Sequence, residues 1–290
     1  MTILLTGATG FLGSHLLHRL LKLNYEVIIL KRRTSNTWRI DSLLSKVRSY
    51  DIDKVDIKKP FEEQKIDAVI HTVTNYGRNN ETISNIVDTN LMFSLRLLET
   101  AAFFNTDTFF NTDTLLYKYL NHYSLSKKQF VEWLKYFRDR IKVVNLKLEH
   151  IYGPKDDNTK FVTWIINQML QNVDSIDLTE GIQKRDFIYI DDVVDVYMLM
   201  LEKSKNFQAF SEFDVGTGKQ IQLKEFILKI YKEILKIKPI TTKLNFGAKP
   251  YRKGEIMEIK ENIKPLFDLG WKPKVSIEDG IKKIIKDSKK

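Results

Sequence analysis

An apolar run at residues 3–5 breaks directly into Thr6-Gly7-Ala8-Thr9-Gly10-Phe11-Leu12-Gly13-Ser14-His15-Leu16, and no other feature narrows the fold of this chain so far. The glycines recur every third residue across a strand-to-helix turn. Gly7 permits the tight turn, Gly10 lets backbone N–H groups approach a pyrophosphate, and Gly13 allows close packing of the helix, whose N-terminus favours negative charge. Thr9, Phe11 and Leu12 complete a turn expected to wrap a dinucleotide. A glycine spacing alone is weak; its place between a strand and an amphipathic helix gives it weight.

The remainder of the first half has the rhythm of βαβ units. Candidate strands cover residues 26–30, 46–50, 68–71, 108–111 and 142–146, and the clearest helices cover 90–103 and 123–137. This predicts an α/β fold, a Rossmann-type doubly wound parallel sheet with a smaller C-terminal α/β substrate-binding region. Residues 1–152 are assigned to the dinucleotide-binding domain and 153–290 mainly to the second region, with 185–203 returning to the first. Later candidate elements are helices at 161–170 and 223–235, a loop at 246–255 and a charged, fraying end at 282–290. Helices such as 90–103 and 123–137 form dimer seams, so a homodimer is expected.

Hydrophobic residues make up 43% of the chain and charged ones 29%, a globular balance that disfavours disorder. No apolar run approaches a membrane span, and no leader precedes the first strand, so the cytoplasm is the expected address and a membrane partner is not. Cysteine is absent, which removes disulfides, thiolate nucleophiles and cysteine-held metals, and no metal is expected. A formal charge of +10 invites nucleic acid. The lysines are nonetheless scattered among acids, and no basic block carries interleaved aromatic residues, so an anionic small molecule is the expected partner.

In NAD-binding units an acidic side chain at the end of the second strand takes the ribose 2′-hydroxyl. Here that position runs into Lys31-Arg32-Arg33, which suits a 2′-phosphate, so NADP(H) is expected over NAD. In Tyr123-Ser124-Leu125-Ser126-Lys127 the phenol and the ammonium fall one turn apart on one helix face. An ammonium beside a phenol lowers the phenol's pKa and makes it a proton donor and acceptor nearer neutrality. Upstream, Asn111-Thr112-Asp113-Thr114 offers a hydroxyl, from Thr112 or Thr114, to hold the substrate oxygen.

Together the glycine turn, the threonines and Tyr123 with Lys127 resemble the ordered set of the extended short-chain dehydrogenase/reductase family, over nearly the whole chain. The resemblance implies that Lys127 also holds the cofactor ribose and that His71 and Thr72 line the cofactor from the fourth strand. It places Asp51 and Ile52, after the third, beside the cofactor as well. A closer likeness is to the CDP-paratose and CDP-abequose synthases, carried by Tyr76-Gly77-Arg78, Leu146-Lys147-Leu148-Glu149-His150, Lys160-Phe161, Arg185-Asp186-Phe187 and Gly270-Trp271-Lys272. Those are NADPH-dependent 4-ketoreductases of CDP-linked 3,6-dideoxyhexoses, which implies a nucleotide-sugar substrate and surface polysaccharide sugar biosynthesis. On this likeness Thr114 is preferred to Thr112, Tyr76 and Arg78 touch the sugar, and Arg185, Arg252 and Lys160 meet the diphosphate, with Phe161 beside them. His150 stands where relatives carry Asn, either against the sugar or diphosphate or as a structural histidine. Relatives that eliminate water carry Glu after the Asp; Thr114 stands there instead, so hydride transfer at C4 is expected rather than 4,6-dehydration. The alternatives are a 4-epimerase that returns the hydride to the other face or a 4,6-dehydratase of the same family and, in another class, a noncatalytic NADP-binding regulator.

Overall fold

The computed structural model describes residues 1–252 and 254–288. Its first elements are β1 (Thr2–Thr6), α1 (Phe11–Lys22), β2 (Glu26–Lys31), β3 (Arg48–Asp51), α2 (Lys59–Glu63), β4 (Ala68–His71), α3 (Ile83–Val87), α4 (Phe93–Phe103), β5 (Thr108–Thr114), α5 (His122–Phe137) and β6 (Lys142–Leu148). The chain continues through β7 (His150–Tyr152), α6 (Phe161–Leu170), β8 (Ser175–Leu178), β9 (Lys184–Tyr189), α7 (Ile190–Lys203) and β10 (Phe210–Val215). It ends with β11 (Gln220–Gln222), α8 (Leu223–Leu235), β12 (Lys243–Phe246), α9 (Lys264–Asp268) and α10 (Ile277–Asp287). Two compact units result, one of Met1–Leu148 with Val194–Asp214, the other of Glu149–Val193 with the chain from Val215 on.

The first unit is organised by a seven-stranded sheet in the order β10-β6-β5-β4-β1-β2-β3. All pairings from β6 to β3 are parallel, with registers such as Leu4↔Ile28, Leu4↔Val69 and Phe110↔Val144. Helices cover both faces of such a sheet, so its strands are apolar throughout: Ile3, Leu4, Leu5, Val69, Ile70, Phe109, Phe110, Val143 and Val144 are all fully buried. Leu97, Leu98 and Ala101 of α4 and Phe130, Leu134 and Phe137 of α5 join Leu4, Val69 and Phe109 in one core. Each large apolar side chain there contributes about 1.5–3 kcal/mol. Strand order reverses between β1 and β4, the point where open α/β sheets bind ligands outside their carboxyl ends. Thr6, His71 and Thr114 end their strands at that edge.

The second unit holds a three-stranded sheet, β11-β9-β7, and a parallel pair, β12-β8. Its aromatic centre stacks Phe187 on Phe226 at 3.7 Å with Tyr152 edge-on to Phe226 at 5.9 Å. The buried Asp192 carboxylate accepts the N–H groups of Lys274 and Val275 and fixes the entry to α10. No helix among the described residues is long and apolar enough to cross a membrane.

Several elements differ from their sequence expectation for identifiable reasons. The expected helix 90–103 begins seven residues earlier, at Ile83, because the Thr82 side chain accepts the Asn85 N–H as an N-cap. A π-turn, Asp88–Met92, then interrupts the periodicity. The expected strand 46–50 starts two residues later, because Asp41–Lys46 forms a 3₁₀ turn. The strand expected at 108–111 runs on to Thr114 beside Leu148 and draws Thr112, Asp113 and Thr114 into the sheet. The end expected to fray from Lys282 is helical to Asp287, capped by Ser276 and anchored by buried Ile281, Ile284 and Ile285; residues 289–290 lie outside the described residues.

Candidate active site

The glycine turn is built to keep side chains away from its mouth. Gly7 has φ +74°, and a Cβ there would lie 2.5 Å from Thr72 Oγ1. At Gly13 a Cβ would meet the Gly7 carbonyl oxygen at 2.0 Å, so helix and turn touch backbone to backbone. Gly10 caps α1 without a side-chain acceptor, and the first helical turn contains no acid. The N–H groups of that turn and the positive end of the helix dipole are thus left for an external anion. A cradle that a Cβ would fill, placed at a helix N-terminus, fits a dinucleotide pyrophosphate. Thr9, Phe11 and Leu12 flank it, with the Phe11 ring edge-on to His15 at 5.3 Å.

No carboxylate occupies the end of β2. Lys31 is half-buried opposite Asp51, and Arg32 and Arg33 are exposed. The Arg33 N–H donates to Asp53, the Asp53 N–H donates to Asp51, and the Ile52 N–H donates to the Lys31 carbonyl. Arg39, which no sequence motif singles out, donates from its guanidinium to the Thr9 carbonyl at 3.4 Å. His71, expected to contact the cofactor, uses its side chain otherwise. Its ring is fully buried, with Nδ1 2.8 Å from Thr6 Oγ1 and Nε2 2.8 Å from Ser94 Oγ, and burial followed by the nearby Lys127 lowers its pKa well below the usual value. Thr72 donates its hydroxyl to the Thr6 carbonyl and walls the turn at Gly7.

The two threonines are separated by their partners. Thr112 Oγ1 lies 2.6 Å from the buried Tyr197 hydroxyl and ties β5 to α7, whereas Thr114 accepts the Leu116 N–H and stands beside the Tyr123 phenol, favouring its ionised form. α5 presents Tyr123 one turn before Lys127 because a reciprocal cap, the Asn121 side chain with the Ser124 N–H and the Ser124 hydroxyl with the Asn121 N–H, sets where the helix begins. Tyr76 packs on Tyr123 at 4.8 Å, and the Arg78 guanidinium lies 5.0 Å from the Tyr76 ring centre.

Burial, then Tyr76 and Asp113, hold the Tyr123 pKa well above its usual range, while Thr114 and Arg78 act in the opposite sense, supplying contacts that favour the phenolate. Lys127 is fully buried, its Nζ has no hydrogen-bond partner among the described residues, and burial pulls its pKa down to about 8 against the attraction of Asp113. An orphaned buried ammonium near His71, the last residue of β4, fits the hydroxyls of a cofactor ribose.

Asn90, on the π-turn, is a second residue the sequence did not reveal. Its amide donates to the Asn75 carbonyl and to Ser126 Oγ, and its oxygen accepts the Asn75 N–H, which fixes the Tyr76 loop to α5. A helical spacing that treats 90–103 as uniform hides it; the signal available was three consecutive polar residues, Asp88-Thr89-Asn90, between apolar pairs.

In the second unit Arg185 is nearly buried and paired with Glu255. His150 Nδ1 lies 2.9 Å from Glu149, and burial followed by Arg185 lowers its pKa to about 4, so the ring is neutral at pH 7. Lys160 begins α6, the Phe161 ring lies 6.1 Å from Trp164, and Arg252 is exposed beside residue 253, which lies outside the described residues. Glu149, Asp186 and Glu261 cluster behind these residues; burial raises all three, Glu149 to about 7 and Glu261 to about 9. Among the described residues no group of three His, Cys, Asp or Glu side chains is arranged to hold a metal ion.

A parallel sheet with this strand order, a glycine turn at its switch point and a Tyr-x-x-x-Lys helix beside it define a dinucleotide-dependent enzyme of the Rossmann type. The family model for NAD dependent epimerase/dehydratases matches residues 3–216. The chain belongs to that family. Among curated proteins it is 40% identical to the CDP-abequose synthase of Salmonella muenchen, over 98% of this chain and 96% of that protein. It is 33% identical to the CDP-abequose synthase of Salmonella typhimurium, again over 98% of this chain. Among solved structures, the Bacillus cereus UDP-glucuronic acid 4-epimerase, in complex with UDP-glucuronic acid and NAD, superposes with a TM-score of 0.83 at 26% identity, covering 100% of this chain and 99% of that one. The Thermotoga maritima UDP-glucose 4-epimerase shares the fold with a TM-score of 0.85.

Proposed function

We propose that this enzyme is an NADPH-dependent 4-ketoreductase of a nucleotide-linked 4-keto deoxyhexose, with CDP as the nucleotide. NADPH, when bound, would supply the hydride for the C4 ketone. Tyr123 delivers the proton to the resulting oxygen, Thr114 orients that oxygen, and Lys127 holds the cofactor ribose and relays a proton to Tyr123. The observation that carries this reading is Tyr123, presented one turn before the buried, unpartnered Lys127 on α5 and packed against Tyr76, with Thr114 beside it and its phenol held protonated. A reductase needs its donor protonated before hydride transfer, and this phenol stays so across the physiological range.

Two further observations support the choice. Asp113 Oδ2 pairs with Lys128 at 2.8 Å and accepts from Asn145, and Thr114 follows it where relatives that eliminate water carry Glu, which disfavours elimination. The likeness to CDP-abequose synthases extends over nearly the full length of both chains. The NADPH preference rests on the missing carboxylate at the end of β2 and on the cations Lys31, Arg32 and Arg33; several solved neighbours hold NAD. Tyr76 and Arg78 are assigned to the sugar, and Lys160, Phe161, His150, Arg185 and Arg252 to the nucleotide diphosphate. Met92 at the end of the π-turn, Phe103 of α4 and Trp133 and Tyr136 of α5 are exposed large apolar residues, which supports a homodimer formed through these helices. The same reading places the enzyme with the cytoplasmic nucleotide-sugar pool.

The test is a thermal-shift panel. NADPH should raise the Tm several degrees more than NADH at equal concentration, and CDP more than UDP or dTDP. A larger shift with NADH would overturn the cofactor assignment, and a larger shift with UDP the base.

A further inference from the structure

The chemistry assigned to Tyr123, Thr114 and Lys127 leaves one buried acid of the second unit unused. Glu149 immediately precedes β7, held there by its N–H on the Val215 carbonyl at 2.9 Å, and its side chain is only 1% exposed. Oε2 lies 2.9 Å from His150 Nδ1, while Oε1 has no hydrogen-bond partner among the described residues. Nor, among those residues, is any lysine or arginine bonded to this carboxyl. The charged groups that face it are Asp186 and Arg185 of β9 and Glu261 of the segment before α9. Asp186 accepts three hydrogen bonds, from the Thr217 N–H, the Thr217 hydroxyl and the Gly218 N–H, and Arg185 is paired with Glu255. A negative charge in this cluster therefore falls first on Asp186. Glu149 keeps its proton longer, because burial raises its pKa to about 7.

We propose that Glu149 is a positioning residue: its carboxylic acid donates to His150 Nδ1, so that the ring hydrogen sits on Nε2 and is donated from there to the diphosphate of the nucleotide sugar. The inference rests on the nucleotide-sugar reading above and deepens its assignment of His150. The ring is neutral at pH 7, so only one of its nitrogens carries hydrogen. Were Glu149 ionised, Nδ1 would donate to it and Nε2 would present a lone pair, which an anionic oxygen repels. With Glu149 protonated the bond reverses and Nε2–H becomes a donor. Nε2 has no hydrogen-bond partner among the described residues, and the side chain is 36% exposed. The charged groups facing the ring are Arg185 and Lys160, which favour an anion beside it, with Asp186 and Glu255, each bonded elsewhere. Affinity for the nucleotide sugar then follows the Glu149 proton, full where the acid holds it and lost as pH rises through about 7.

The experiment measures binding of CDP-glucose, whose own charge is constant between pH 6 and pH 8.5, to the full-length protein and to Glu149→Gln by calorimetry. Nitrogen NMR of the wild-type protein reads the His150 ring directly, its signals assigned among the five histidines by their loss in His150→Asn. Wild-type affinity should fall by about 10- to 30-fold from pH 6 to pH 8.5, the upper end being the limit for one proton released near pH 7. Glutamine can donate an N–H to Nδ1 at every pH, so Glu149→Gln should keep the pH 6 affinity within about threefold and hold it flat to pH 8.5. The NMR spectrum should show hydrogen on Nε2 at pH 6. Hydrogen on Nδ1 at that pH overturns the proposal whether or not the variant folds. It is overturned equally by a wild-type affinity that does not change with pH, or by a Glu149→Gln protein that keeps the wild-type pH dependence, which would put the titrating proton on Glu261 or Asp186. A wild-type protein that shows hydrogen on Nε2 but binds CDP-glucose at no pH would refute the CDP reading, and the proposal falls with it.

Discussion

Replacing each threonine of β5 by valine separates a structural hydroxyl from a chemical one. Thr112→Val removes the partner of a Tyr197 hydroxyl that is buried with no exposed surface, the contact being 2.6 Å long. Valine keeps the volume, so the loss is that of a buried phenol left unsatisfied, about 1–3 kcal/mol. At about 2–4 °C per kcal/mol this lowers Tm by roughly 2–12 °C, with kcat within about threefold of wild type. Thr114→Val loses its contact to Tyr123 and its acceptance of the Leu116 N–H at 3.2 Å. Leu116 is half-buried and water replaces that bond, so stability falls by about 1 kcal/mol or less. Loss of the bond that orients the reacting oxygen should lower kcat by about 10- to 100-fold. Calorimetric melting and NADPH consumption with the keto-sugar, measured on both variants, decide the matter. A Thr112→Val enzyme with normal Tm and kcat reduced a hundredfold, beside an active Thr114→Val enzyme, would refute the assignment.

Three further perturbations probe the burial around the site. Lys127→Met should raise Tm at pH 7 while abolishing turnover, because burial lowers the lysine pKa from 10.5 to about 8. The folded state therefore binds fewer protons than the unfolded one between pH 8 and 10.5; the penalty of order 3 kcal/mol is fully present below pH 8 and fades above it, so the Tm gain should shrink through that window. Gly13→Ala should destabilise the protein by about 3 kcal/mol or more, since its Cβ meets backbone at 2.0 Å, whereas Gly10→Ala, at 3.2 Å, should fold and lose cofactor affinity; equal melting of the two would contradict the turn geometry. Glu261→Gln should stabilise the protein increasingly from about pH 5 to pH 9, because burial pushes that carboxyl up to about 9 and the native protein loses stability as pH rises through the window; a pH-independent Tm difference would show that the Glu149, Asp186 and Glu261 cluster is not strained.

Much of the first unit was legible because its determinants are local. The glycine turn, the apolar strands at 68–71 and 142–146 and the helix carrying Tyr123 and Lys127 each announce themselves within a dozen residues, since backbone conformation and two-sided burial act at that range. The structure places Thr114 beside Tyr123 and Thr112 on Tyr197, a distinction that depends on α7, reached some eighty residues later, and that no local spacing contains. His71 looked like a cofactor contact, yet a position at the end of a strand does not say that Thr6 and Ser94 claim both ring nitrogens. Asn90 was hidden because a π-turn preserves helical composition while shifting its phase. The carboxyls of Glu149, Asp186 and Glu261 converge from three separate segments, and only the fold brings them together.

The central claim is net reduction at C4 with the phenol as proton donor. Purified enzyme should be given a CDP-linked 4-keto-3,6-dideoxyhexose and NADPH deuterated at the transferable position, and its product read by NMR. One equivalent of NADPH consumed and one deuterium at C4 of a single epimer, with Tyr123→Phe slower by at least about a hundredfold, is the predicted result. Interconversion of C4 epimers with no NADPH consumed and no deuterium gained would contradict the account.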